Sequence, residues 1–188
     1  MLTNVSKLYF QHLKIDYNRD KILDVIQNQT QDWQVVWGHK DTLLPVLGFQ
    51  QERPKPYEDH IVLTQYLRSV DIDGRTDRKA LQKESLSVLK QLGIREKHYF
   101  SLFFTEPCGI APHTDNMQCS INIPIKGVDD PMFFEEIDEC TSPPYPFLMN
   151  AQQLHYAEQS QERRYYFRIH FDKPYEEIQC QLPYWQRL

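Results

Sequence analysis

Between residues 98 and 171 the chain is a succession of short, β-prone segments, each closed by its own turn signal. No other feature constrains the fold as much. HYFSLFFT (98–105) is rich in aromatics and is closed by Glu106-Pro107-Cys108-Gly109. A segment at 110–115 follows, then CSINIPI (119–125), closed by Lys126-Gly127. Segments at 131–137, with Met132, Phe133 and Phe134, at 146–150 and at 163–171 (RRYYFRIHF) complete six strand candidates. Turn signals recurring at roughly 8–12-residue spacing fit a β-sandwich or barrel.

Upstream of residue 98 the texture is helical or mixed. Ile22, Leu23, Val25 and Ile26 recur at helical spacing behind a capping-type Asn18, which predicts a helix over 18–29. Leu81, Leu86, Val88, Leu89 and Leu92 form a second apolar stripe over 77–92, with Gly93 where a C′ glycine belongs. WQVVW (33–37) reads as a short strand, and 61–70 is open between helix and strand. Arg53-Pro54-Lys55-Pro56 marks a loop and 71–76 a turn. The expected organisation is one domain of α+β class: a flanking layer at 1–97, a β core at 98–171 and a C-terminal tail at 172–188. The tail, with Pro183-Tyr184-Trp185, is expected to be ordered by docking its aromatics onto the barrel or a second subunit.

Composition narrows the function classes. With 188 residues, 40% hydrophobic and 25% charged, the chain is long and apolar enough for a core of its own. Lys+Arg number 21 against 26 Asp+Glu, so a net charge of −5 gives no electrostatic reason to bind long nucleic acid. No apolar run approaches the ~20 residues that cross a bilayer, and the N-terminus lacks signal-peptide texture, so a soluble, cytoplasmic protein is expected. Cys108, Cys119, Cys140 and Cys180 form no Cys-x-x-Cys pair and are read as reduced thiols. Oligomeric state is not legible.

Chemistry concentrates at His113-Thr114-Asp115. On a strand, residues i and i+2 share a face, so an imidazole nitrogen and a carboxylate oxygen could converge on a metal. His155, 42 residues downstream, is the natural third ligand of a two-His-one-carboxylate site. A second His-x-Asp, His39-Lys40-Asp41, has no strand of useful length around it and is discounted. Nine residues after His155 comes Arg164, whose guanidinium fork suits a carboxylate held beside the metal. Strand parity puts Arg164, Tyr166, Arg168 and His170 on one face, and the more apolar Tyr165, Phe167, Ile169 and Phe171 on the other. If the apolar face packs on the helices, the Arg164 face looks into the barrel. Arg164 is favoured as the anion-binding residue, with Arg168 and Arg163 as alternatives; Arg168 would then be free to meet a substrate carboxylate. Asn122, mid-strand in an apolar run, must be hydrogen-bonded if buried, within the chain or to a cosubstrate. Tyr99, Ser101 and Phe103 share a face and could line a pocket. His60, His98 and His170 are read as bystanders, and Asn150 as a structural residue.

This ordered set resembles the Fe(II)/2-oxoglutarate-dependent dioxygenases of the double-stranded β-helix (jelly-roll) type. EPCGIAPHTD is similar to their approach to the metal histidine, NAQQLHYAEQ to the segment of the distal histidine, and RRYYFRIHF to the arginine-bearing strand. The resemblance covers residues 98–171, and its texture is nearest to prolyl or aspartyl/asparaginyl hydroxylases. It implies a jelly-roll core flanked by N-terminal helices, with Fe(II) on His113, Asp115 and His155. It also implies 2-oxoglutarate chelating the iron, with its distal carboxylate on Arg164; Asn122 and Arg168 are the further cosubstrate-binding candidates, from burial and strand parity. The implied reaction hydroxylates a C–H bond of a small amino-acid-like molecule or protein side chain and releases succinate and CO₂. The presence of Asp115 favours hydroxylation over halogenation, because related halogenases lack that carboxylate. Two rivals stay open: a cupin-like metal enzyme without 2-oxoglutarate, and a non-enzymatic jelly-roll binding module.

Overall fold

The computed structural model describes residues 8–28, 34–37, 64–68, 75–105, 110–115, 117–127, 131–141, 145–158 and 160–187. His39, Asp41, His60, Cys108, the loop at 53–56 and most of the turn expected at 71–76 lie outside the described residues.

Eleven strands and three helices are described, in the order β1 (Phe10–His12), α1 (Arg19–Asn28), β2 (Gln34–Trp37), β3 (Thr64–Arg68), α2 (Arg75–Gln91), β4 (His98–Thr105) and β5 (Ile110–His113). The chain continues through β6 (Cys119–Lys126), β7 (Met132–Phe134), β8 (Ile137–Cys140), β9 (Phe147–Asn150), β10 (His155–Ala157), β11 (Arg164–Phe171) and α3 (Tyr175–Gln181). They form a seven-stranded sheet, β1-β9-β6-β11-β4-β3-β2, and a four-stranded sheet, β5-β10-β7-β8, both antiparallel. This is the α+β jelly roll expected from the sequence.

β11 lies at the centre of the large sheet, between β4 and β6, and its two faces do different work. Phe167, Ile169 and Phe171 are fully buried against a cluster that includes Ile22 of α1, Leu81 and Val88 of α2 and Ile178 of α3. Tyr166, on the other face, joins Phe10, Phe134, Phe147 and Met149 in a second core. Phe10 and Phe134 come from different sheets and stack with ring centroids 5.4 Å apart, so this second core lies between the sheets. The parity read from RRYYFRIHF is therefore correct: the apolar face takes the helices and the Arg164 face looks inward.

Local signals explain the helix ends. The Lys21 amide donates to Asn18 Oδ1 at 3.0 Å, the N-cap of α1. At the other end of α2, Ile94 N donates to Leu89 O and Gly93 N to Lys90 O, with Gly93 at φ 69°: a Schellman close in which the glycine is required.

Two features differ from the sequence expectations, and one that was open is resolved. The segment at 131–137 divides into β7 and the start of β8, because Glu135 and Glu136 turn the chain. The ambiguous segment contains β3, which pairs with β4. The tail is ordered by α3, which buries Tyr175, Ile178 and Leu182, whereas Tyr184 and Trp185 stand 86% and 73% exposed. Pro183 starts a new turn, so those two aromatics are carried away from the core that α3 reaches.

Candidate metal centre

The site lies between the sheets, at the ends of β5 and β10. These strands pair antiparallel with His155 directly opposite His113, and the two imidazoles stand with centroids 4.3 Å apart. Asp115 arrives by a different route from the one its spacing suggested. β5 ends at His113, so strand alternation does not align the pair. Asp115 sits in the turn beyond, held by its amide on Ala151 O at 2.8 Å and by Gln152 Nε2 donating to its carbonyl at 2.9 Å. The β9–β10 connection thus fixes the carboxylate that β5 alone would leave loose.

His113 Nε2 lies 3.5 Å from Asp115 Oδ1, and His155 Nε2 lies 4.0 Å from Oδ2. The ligand atoms of all three fall within 4.8 Å of one another, the one such group among the described residues. An ion with bonds of about 2.1 Å at right angles separates its donors by about 3 Å, so side-chain rotations suffice to close this set. The tautomer also fits. His155 Nδ1 lies 2.7 Å from the Gln153 carbonyl, which can only accept, so Nδ1 carries the proton and Nε2 presents its lone pair.

The electrostatics keep His155 and Asp115 in their ligating forms. Burial, then the charge of His113, pushes His155 down to about 3, so it is neutral near pH 7. Burial alone would raise Asp115, but Arg168, His113 and His155 outweigh it and hold the carboxyl well below the usual range. Arg168 Nη2 reaches Asp115 Oδ2 at 2.7 Å. Nη2 of Arg168 is thus engaged by Asp115, while Arg168 still lines the cleft.

His113 and His155 line a narrow cleft walled by Phe103, Ile110, Met132, Ala157 and Tyr166. Arg164, Asn122 and Arg168 line the same cleft. Arg164 is 1% exposed and donates from Nη2 to Glu158 O at 2.7 Å. Arg163 is exposed on the opposite side of the strand start and does not line it. Asn122 has its partner within the chain, donating to Ser120 Oγ at 3.1 Å. Of the residues expected to line a pocket, Phe103 does so, while Tyr99 is 44% exposed. Asn150 is structural, donating to Leu8 O.

His170, read as a bystander, does not line the cleft and is held among partners within the fold. His170 is held 2.6 Å from Ser101 Oγ, and its other nitrogen contacts Met117, two residues from Asp115. Burial, then Arg168, pushes it down to about 3. Its shared face with Arg168 on β11 was the available signal; the partners, on β4 and before β6, were not.

No protein-family model matches the chain, and no curated protein matches it. Among solved structures it is similar to AviO1 from Streptomyces viridochromogenes Tue57, with TM-score 0.53 and 10% identity, covering 93% of this chain and 96% of that one. A prolyl hydroxylase from Trichoplax adhaerens, in complex with a hypoxia inducible factor oxygen degradation domain peptide fragment, aligns at TM-score 0.47 and 12% identity over 86% and 78% of the two chains. The viral collagen prolyl hydroxylase of Paramecium Bursaria Chlorella virus-1, as a 2OG complex, aligns at 0.46 and 10% over 87% and 96%. At 10% identity the likeness to AviO1 is one of fold, and the fold it accompanies is the α+β double-stranded β-helix described above.

Proposed function

We propose that this protein is an Fe(II)- and 2-oxoglutarate-dependent oxygenase that hydroxylates a C–H bond of a small amino-acid-like molecule or a protein side chain. The observation that carries the reading is the convergence of His113, Asp115 and His155 beside a cleft that also holds the buried cation Arg164. Bound Fe(II) would let O₂ couple oxidative decarboxylation of 2-oxoglutarate to hydroxylation of the substrate, one oxygen atom going to succinate, released with CO₂, and the other to the new hydroxyl group. His155 offers a neutral imidazole nitrogen, His113 a second imidazole and Asp115 an ionised oxygen, leaving the other positions of a six-coordinate ion open. Arg164 is the partner for the distal carboxylate, since a guanidinium this deeply buried discriminates strongly for an anion. The apolar wall of Phe103, Ile110, Met132 and Ala157 strips water from whatever enters.

The test is an anaerobic visible spectrum of apoprotein with Fe(II) and 2-oxoglutarate. A weak charge-transfer band that needs both components is the expected result. Metal bound without the band would move the assignment to a metal enzyme without 2-oxoglutarate. Neither metal nor band would make the cluster an accident of packing.

A further inference from the structure

Arg168 is fixed on three sides. Its guanidinium lies over the Phe103 ring with its carbon 5.1 Å from the centroid, and Nη2 is 3.3 Å from Ser120 Oγ. That hydroxyl is itself held by Asn122 Nδ2 at 3.1 Å. From this mount Nη2 meets only one oxygen of Asp115, Oδ2, at 2.7 Å. The other oxygen, Oδ1, is the one 3.5 Å from His113 Nε2. A carboxylate beside a metal can bind through one oxygen or chelate through both. Here one of the two is already engaged by a cation that cannot leave without losing its ring face and its hydroxyl partner.

We propose that Arg168, seated on Phe103 and braced by the Ser120–Asn122 pair, is a positioning residue that keeps Oδ2 of Asp115 and so restricts Asp115 to one bond with the metal, preserving an open coordination position. The inference rests on the metal-centre reading above. Its consequence is a matter of counting. Two imidazoles and one carboxylate oxygen leave about three positions of a six-coordinate ion open, while a chelating carboxylate leaves about two. A bidentate oxoacid and a third small ligand need all of the former.

The measurement is made on the full chain loaded with Mn(II) in ¹⁷O-enriched water, counting bound waters by pulsed electron paramagnetic resonance and determining Mn(II) affinity alongside. The wild type is expected to hold about three waters. Arg168→Met is expected to lose one, with Mn(II) bound at least as tightly, because a competing cation has been removed from Asp115. Arg168→Lys keeps a cation for Oδ2 and is expected to retain the wild-type count. Circular dichroism checks the fold, and Arg168→Gln replaces Arg168→Met if that variant does not fold. An unchanged water count with weaker Mn(II) binding in the Met or Gln variant would mean a merely structural role and overturns the inference alone. Loss of a water in the Lys variant also overturns it. No Mn(II) bound by folded wild type overturns the metal centre itself, and the inference with it.

Discussion

His113 and His155 face each other directly across the β5–β10 pair, in register and with rings 4.3 Å apart. Two strands separated by 42 residues of sequence thereby present two imidazoles to one point, and the backbone ladder maintains the distance between them. Removing either ring should therefore remove a donor without disturbing the pairing. His155→Ala is expected to lower 2-oxoglutarate turnover by at least about 100-fold, a loss of about 2.7 kcal/mol or more in transition-state stabilisation. Succinate release checks this, and undiminished release from that variant would falsify the triad.

Arg164 and Arg168 share the inner face of β11 but do different work. Arg164 is buried in the cleft away from Asp115, while Arg168 is committed to Asp115. Arg164→Ala is expected to weaken 2-oxoglutarate by about 10–100-fold, roughly 1.4–2.8 kcal/mol, with Mn(II) affinity nearly unchanged. Equilibrium titrations of both ligands separate the outcomes. A larger loss of 2-oxoglutarate in Arg168→Met would interchange the two roles.

Acid should destabilise the metal-free fold. His155 and His170 both have folded-state values near 3 against an ordinary 6.5, each lowered first by burial. Between those values the unfolded chain binds protons that the folded chain refuses, so stability is full above about pH 6.5 and falls as the pH drops towards about 3. Asp115, held low by its neighbours, adds a further loss below its ordinary 3.8. His170→Phe is expected to remove one proton from this dependence, about 1.4 kcal/mol per pH unit. Urea unfolding at pH 7, 5.5 and 4.5 in the presence of a chelator measures the slope. An unchanged slope would show that His170 does not stay neutral in the fold.

Gly127 closes β6 at φ 63°, and a Cβ there would overlap the carbonyl oxygen of Arg163, the residue before β11 begins. Gly127→Ala is expected to cost about 1–3 kcal/mol through backbone strain and overpacking. It should also weaken 2-oxoglutarate, because the displaced backbone carries Arg164. Thermal unfolding and ligand titration on one sample test both effects, and a stable variant with native ligand affinity would contradict the contact.

The C-terminal segment offers a contrast within a few residues. Ile178 is fully buried against the helix-side core, so Ile178→Ala is expected to destabilise by about 2–5 kcal/mol. Trp185→Ser, at a position 73% exposed, should stay within about 0.5 kcal/mol. Denaturant melts of the two variants decide whether α3 or the aromatic turn ties the tail down.

Much of this was written locally. Alternation in RRYYFRIHF separated the helix-facing residues from those facing the cleft, because side chains on a strand alternate whatever the strand pairs with. Asn18 and Gly93 marked helix ends because capping is settled within a few residues. Order and residue type brought His113, Asp115, His155 and Arg164 together as candidates. Tertiary structure decided the rest. Asp115 is aimed by Ala151 and Gln152, Arg168 is paired with Asp115, and His170 is drawn in by Ser101 and Met117. Each of these depends on a partner from a remote element. A sequence fixes which groups a residue can bond, but only the register of the sheets and the path of the turns determine which of them lies within about 3 Å.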